Sequence, residues 1–315
     1  MMKLAFVFPG QGSQSVGMMA GFDAHPAIRA TFDEASDVLS QDLWALVTAG
    51  PDADLNRTVN TQPVMLTAGI AVWRAWRAAG GPVPAIVAGH SLGEYTALVA
   101  AGALGFRDAL PLVRFRAQAM QEAVPAGIGA MAAILGLDAA AVAAVCLEAT
   151  GDSGSGMIVE PVNFNGPEQV VIAGHKEAVE RAIALATARG AKRGVLLPVS
   201  APFHSSLLKP AAERLAAKLA SIAINAPTIP VLHNVDVGER PSADAIRAAL
   251  AQQAASPVRW VETIQAFAAR GVTHIVECGP GRVLAGLNKR IARDLKTFAL
   301  TDGTDIDTTK AALAA

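Results

Sequence analysis

The stretch Ala85-Ile86-Val87-Ala88-Gly89-His90-Ser91-Leu92-Gly93-Glu94 decides the fold class. Ala85 to Ala88 is a short apolar run that predicts a buried strand, and Glu94 to Ala101 predicts a helix. Between them stands G-x-S-x-G, the pattern of a nucleophile elbow when it occurs in a strand–turn–helix context. The glycines permit a sharp turn that presents Ser91, and a helix N-terminus offers backbone N–H groups and a positive dipole end to a developing oxyanion. The same residues also spell a plain turn in which Ser91 caps the helix and Glu94 completes a capping box.

Working outward, Leu4 to Phe8 predicts another buried strand, followed by a Gly/Gln/Ser loop from Pro9 to Gly17. Thr61 to Ala79 has apolar residues at helical spacing and stops at Gly80-Gly81. Short β-branched runs alternating with longer Ala/Leu-rich runs indicate an α/β protein. In the middle of the chain the predicted elements are a strand at Gly129 to Leu137, a helix at Asp138 to Ala149 and strands at Met157 to Phe164 and Glu168 to Ala173. A helix at Lys176 to Arg189 and a strand at Ala191 to Pro198 follow. That β-α-β-β-α-β order is the split βαβ, or ferredoxin-like, unit. Pro and Gly bound it on both sides, and the first pattern resumes through the strand Val272 to Glu277. The expected organisation is a main catalytic domain of residues 1–127 and 200–315 with an inserted subdomain at 128–199.

Composition removes several classes. With 315 residues, 52% apolar and 17% charged, the chain has ample surface to bury and is not a disordered polymer. A formal charge of −1 provides no global basic field, so nucleic acid is not an expected partner. The longest apolar stretches, such as Ala123 to Leu137, are shorter than a spanning helix and contain Pro or Gly, so no membrane association is expected. Leu4 to Phe8 ends at Pro9-Gly10, too soon for the core of an export signal. Two cysteines, Cys146 and Cys278, make no disulfide framework and fit a reducing cytoplasm.

A serine hydroxyl needs a base. Of the six histidines, His90 neighbours Ser91, but adjacent side chains across a tight turn point apart. His175 and His274 flank predicted strands and read as structural. His204, in the two-proline loop Pro198-Val-Ser-Ala-Pro-Phe-His-Ser205, is placed as a rigid loop would place a base; the plainer reading is a loop histidine bonded to backbone. No acid stands out as a third member, and a histidine oriented by a backbone carbonyl would serve. Gln11, in Pro9-Gly10-Gln11-Gly12-Ser13-Gln14, could donate its backbone N–H to an oxyanion, while the loop fails both the P-loop and the G-x-G-x-x-G patterns. Arg116 lies in a predicted apolar helix, Leu110 to Ala123. It either snorkels or pairs there, or grips a substrate carboxylate, and Arg114 competes for that role.

Phe8-Pro-Gly-Gln-Gly-Ser-Gln14, Gly89-His-Ser-Leu-Gly-Glu94, Arg116 with Met120-Gln121, Asn163-Phe-Asn165 and Pro202-Phe-His-Ser205 occur in order. Together they resemble the malonyl-CoA:acyl carrier protein transacylases of bacterial type II fatty acid synthesis. The likeness runs on through Ser256-Pro-Val-Arg-Trp260 and Glu277-Cys-Gly-Pro-Gly281. The resemblance implies an α/β-hydrolase-like main domain with a ferredoxin-like insert. It implies Ser91 as nucleophile, His204 as general base and acid, and an oxyanion hole from the N–H groups of Gln11 and Leu92. Arg116 is implied as the malonyl carboxylate site and the Gln253 carbonyl as the group orienting His204. Gln62, His90, Asn163 and Phe203 are implied as pocket residues, with Ala254-Ala255-Ser256 departing from a bulkier stretch in relatives. Partners implied are malonyl-CoA and holo acyl carrier protein, with no cofactor, no metal and a monomer as the simplest state. Lys192 with Arg193, or Lys289, Arg290 and Arg293, would face the acidic carrier. The alternatives are the malonyltransferase of malonate decarboxylase, a free-standing polyketide acyltransferase, a serine hydrolase, and a non-catalytic carrier-binding module.

Overall fold

The structure, a computed structural model, describes residues 2–151, 156–199 and 201–314. Ser200, where the second segment of the expected main domain begins, lies outside the described residues. The strands are β1 (Leu4–Phe8), β2 (Ile86–Gly89), β3 (Gly129–Leu135), β4 (Val159–Gly166), β5 (Gln169–His175), β6 (Arg193–Leu196), β7 (Val231–Leu232), β8 (His274–Cys278) and β9 (Lys296–Leu300). Among the described residues they form a five-stranded parallel sheet, β7-β2-β1-β8-β9, and a four-stranded antiparallel sheet, β4-β5-β3-β6.

Parallel strands covered on both faces need continuous apolar runs, and every residue of β1 is buried. Alternate residues serve different layers. Phe6 and Phe8 of β1, with Val87 of β2 and Val276 of β8, face the helix Thr58–Ala78 and its neighbours. Ala5 and Val7, with Ile86, Ala88 and Ile275, face the helices Trp260–Ala269 and Val283–Ile291. The first of these helices begins a turn before the position that the sequence indicates, at Thr58, and it contains Pro63. Glu277 on β8 is fully buried and accepts the backbone N–H groups of Leu284 (3.1 Å) and Ala285 (2.7 Å), capping the last of these helices. Burial pushes its pKa up to about 7 against the pull of those two bonds.

The antiparallel sheet has the expected βαββαβ connectivity, with β3 central. Ala132 and Ile134 of β3 and Val170 and Ile172 of β5 pack under the helices Ala139–Thr150 and Lys176–Ala188. Met131, Val171 and Ala173 point the other way, against Phe203, Leu208 and Met120 of the larger layer. The β4–β5 hairpin turns between Gly166 and Gln169, and β4 carries irregular register around Pro161. Several strand ends differ from the sequence reading by one to two residues. The last strand is trimmed from Ala191–Pro198 to β6, because the Ala191 N–H turns back to Ala186 and Pro198 has no N–H to contribute. A short bridge from Asn163 to Val258 ties the hairpin to the parallel layer. Among the described residues no helix is long and apolar enough to cross a membrane.

β2 meets its following helix, Gly93–Ala100, at very close range. A Cβ on Gly89 would lie 1.9 Å from the Gly93 carbonyl, and one on Gly93 would lie 2.0 Å from the Phe8 carbonyl. Backbone atoms, not movable side chains, set both limits. Gly89→Ala is therefore expected to destabilise the protein by about 1–3 kcal/mol or more, read as a lower urea midpoint at unchanged m; a wild-type midpoint would contradict this packing.

Candidate active site

Ser91 occupies the turn between β2 and the helix Gly93–Ala100 with φ +51°, a left-handed conformation that a residue with a Cβ adopts at a cost. The surroundings impose it. The Ser91 N–H donates to Asn234 Oδ1 (2.8 Å), and Asn234 Nδ2 donates to the Gly89 carbonyl (2.7 Å). The Ser91 carbonyl accepts from Gln253 Nε2 (2.9 Å). The capping-box alternative does not form: the residue preceding this helix makes no side-chain cap, and Glu94 bonds elsewhere.

Ser91 Oγ is 2.7 Å from His204 Nε2. His204 is 3% exposed and also sits at positive φ, +67°. Its Nδ1 lies 2.9 Å from the Gln253 carbonyl, which can only accept, so Nδ1 carries the hydrogen and Nε2 presents a lone pair to the serine hydroxyl. Burial, aided by the nearby Arg116 guanidinium, pushes the His204 pKa down to about 3, against the opposing carbonyl bond. The imidazole is thus neutral at physiological pH. His90 is in the same cavity but turned away, with Nε2 2.8 Å from Asn165 Oδ1 and its ring 5.5 Å from that of Trp260. His175 accepts the Ile158 N–H, and His274 stacks on Phe298; both are structural.

Arg116, on the helix Phe106–Glu122, is 1% exposed. It donates to Gln62 Oε1 (2.8 Å), Gln253 Oε1 (2.9 Å) and Ser91 Oγ (3.1 Å), and lies 5.4 Å from the centre of the Tyr95 ring. Burial lowers its pKa from the ordinary arginine value. Arg114 on the same helix faces away, bonded to the Leu39 carbonyl and to Gln41. The competition between the two arginines is resolved by the helix face each occupies.

These groups line one cavity of about 110 Å³ with Gln11, Leu92, Met120, Met131, Asn163, Leu197, Val199 and Phe203. Its lining combines apolar and hydrogen-bonding side chains. Gln11 is anchored by Thr58 Oγ1 (3.0 Å), and its loop presses on the turn: a Cβ on Gly10 would be 2.5 Å from the His90 carbonyl. Among the described residues neither the Gln11 nor the Leu92 backbone N–H has an acceptor. Asn163 Oδ1 is buried without a partner there too. No group of three His, Cys, Asp or Glu that could hold a metal occurs among the described residues.

Three contributors were missed in the sequence. Asn234 clamps the turn, Glu94 anchors Asn234 and Gln253 from beneath, and the Gln253 side chain joins Arg116 to Ser91. A single acid opening the otherwise uncharged run Glu94–Ala101 was the available signal for Glu94, which the structure buries fully.

The chain matches the family described as Acyl transferase domain over residues 5–304. It is 56% identical over 303 residues to the malonyl CoA-acyl carrier protein transacylase of Escherichia coli K12, covering 96% of this chain and 97% of that one. The corresponding protein of Bacillus subtilis strain 168 is 47% identical over 308 residues, covering 98% and 96%. An acyl-carrier-protein S-malonyltransferase from Burkholderia pseudomallei 1710b superposes with a TM-score of 0.96 at 59% identity, covering 98% of this chain and all of that one (100%). A malonyl-transacylase in complex with its type II PKS acyl-carrier protein superposes with a TM-score of 0.96 at 51% identity over 98% and 99%. The chain accordingly belongs to the acyl transferase domain family, and within it to the malonyl CoA-acyl carrier protein transacylases.

Proposed function

We propose that this acyltransferase moves the malonyl group of malonyl-CoA to the phosphopantetheine thiol of holo acyl carrier protein, supplying malonyl carrier for fatty acid elongation. The observation that carries the reading is the convergence on Ser91 Oγ of a neutral imidazole and a buried guanidinium. Ser91 Oγ attacks the thioester carbonyl while His204 Nε2 takes its proton. The Gln11 and Leu92 N–H groups receive the oxyanion, which collapses as the C–S bond breaks and His204 protonates the departing CoA sulfur. In the second half His204 takes the proton of the carrier thiol, whose sulfur attacks the malonyl-serine ester. His204 then returns the proton to Ser91. In this scheme the acting groups are side chains and backbone N–H groups of the chain, and phosphopantetheine arrives with the carrier.

Arg116 binds the free malonyl carboxylate. An acetyl group would leave the guanidinium buried without that partner, which costs binding energy. Gln62 orients Arg116, and His90, Asn163 and Phe203 shape the wall. A serine hydrolase has no use for such a cation, and the structure of a relative with a carrier protein favours a carrier as acceptor. That relative's carrier is of the polyketide type, so fatty-acid and polyketide carriers differ here only as acceptors.

The architecture supports a finer description: an α/β-hydrolase-like main domain of residues 1–127 and 200–315, and a ferredoxin-like subdomain at 128–199. The βαββαβ connectivity and the β4-β5-β3-β6 order support the latter. A monomer is the simplest state for this reading. Two free, buried cysteines suit the cytoplasm. For carrier docking, Lys192 pairs with Glu168 (3.1 Å) and Arg290 donates to Gln169 (3.0 Å), so both basic groups meet at the β4–β5 turn.

Intact mass after brief incubation with malonyl-CoA should show one malonyl adduct that moves to added holo carrier, and Ser91→Ala should show none. Decay of the adduct to free malonate would favour a hydrolase, and labelling of Ser91→Ala would sink the nucleophile. Arg116→Ala should shift donor preference from malonyl towards acetyl by about tenfold or more; unchanged donor ratios would place the carboxylate elsewhere. Single-turnover acylation should show no acid limb near pH 6.5, because His204 stays unprotonated down to about pH 3. A limb at the ordinary histidine value would contradict its burial. The same shift erodes stability as pH falls from about 6.5 towards 3, since the unfolded chain takes the proton first.

A further inference from the structure

The acceptors around Arg116 are neutral oxygens, those of Gln62, Gln253 and Ser91. A carboxylate is nevertheless near. Glu94 is fully buried, and its Oε2 accepts from Gln253 Nε2 at 3.0 Å. The Gln253 amide thus lies between a buried cation and a buried anion, carbonyl towards the first and NH2 towards the second. The opposite orientation would set donor against guanidinium, and oxygen against both the carboxylate and the Ser91 carbonyl. Glu94 is held back from Arg116 by its other bonds, from the Asn234 N–H (2.8 Å) and from His233 Nδ1 (2.8 Å).

Two opposite penalties explain why such a spacer matters. A buried guanidinium with no anion near it is costly, and one paired directly with an internal carboxylate is saturated and must break that pair to take a ligand. One interposed amide avoids both. We infer that the Gln253 side chain is a specificity-determining spacer that keeps the Glu94 carboxylate within electrostatic reach of Arg116 but out of contact, leaving the direct carboxylate position for an acyl thioester that bears a free carboxylate. This rests on the reading of Ser91 and Arg116 given above and adds the pair of residues that sets how strongly a carboxylated donor is preferred. The role of Gln253 is separate from that of its backbone carbonyl, which faces His204.

The carboxylate can be transposed. The double variant E94Q/Q253E keeps the composition and charge of the chain but brings the carboxylate against Arg116, with the backbone carbonyl at 253 retained. Rates of acyl-enzyme formation from malonyl-CoA and from acetyl-CoA are measured by rapid-quench mass spectrometry on the full chain. The malonyl-to-acetyl ratio is expected to fall about tenfold or more in the double variant. In E94Q alone, which removes the anion and keeps the amide, the ratio is expected to rise several-fold, because the guanidinium is left less compensated. Equal losses for both donors in the two variants would mean that these residues only hold the fold, and would overturn the inference. Should the double variant not fold, E94Q decides: a ratio unchanged or lowered overturns it. Wild type without a malonyl adduct would remove the underlying reading and this inference with it. A wild-type adduct, lost selectivity in R116A and a wild-type ratio in E94Q would reject this inference alone.

Discussion

The Ser91 turn depends on the side-chain amide of Asn234, which accepts from the Ser91 N–H and donates to the Gly89 carbonyl. A non-glycine residue in the left-handed region relaxes unless its neighbours over-determine it. Here an amide grips both sides of the bend, a second amide from Gln253 holds the carbonyl, and close-packed glycine backbones leave no room to unwind. Asn234 is fixed in turn by Glu94, on the helix that the turn itself starts. The elbow and the residues that constrain it form a closed loop of bonds across the C-terminal ends of β2 and β7, where open parallel sheets place their ligand sites.

Burial gives these groups their chemistry. His204 is held neutral by burial and by the nearby Arg116 guanidinium, with its Nε2 towards Ser91 Oγ. The carbonyl of Gln253 faces His204 Nδ1 where a triad would set a carboxylate, and it adds no negative charge beside the imidazole. The anion of the site, Glu94, instead sits below the turn. Placing the negative charge there separates the holding of the scaffold from the holding of the proton.

Much of this was legible in the sequence, for physical reasons that differ by element. The elbow announces itself because only small residues fit where two backbones touch, and the parallel strands because burial on both faces demands unbroken apolar runs. The antiparallel sheet showed through the βαββαβ alternation of its elements. Strand ends were harder to place: β6 shortens because of where one N–H turns, a tertiary matter. Arg116 and Arg114 share one helix and differ only in the face that packing assigns, which the spacing did not settle. Asn234 and the side chain of Gln253 were illegible because they act across about 140 and 160 residues of chain, and a lone amide has no local pattern.

The antiparallel sheet has a consequence for how this enzyme can change. In β3, Ala132 and Ile134 belong to the interior of the smaller layer, while Met131, on the opposite face of the strand, borders the acyl cavity. In β5, Val171 and Ala173 similarly alternate with Val170 and Ile172. Pleating thus gives the even positions of both strands to the interior of the smaller layer and the odd positions to its contact with the larger one. Changes at Met131 can reshape the chamber while Ala132 and Ile134 keep the interior of the smaller layer, so acyl-group preference can diverge among descendants with the scaffold retained.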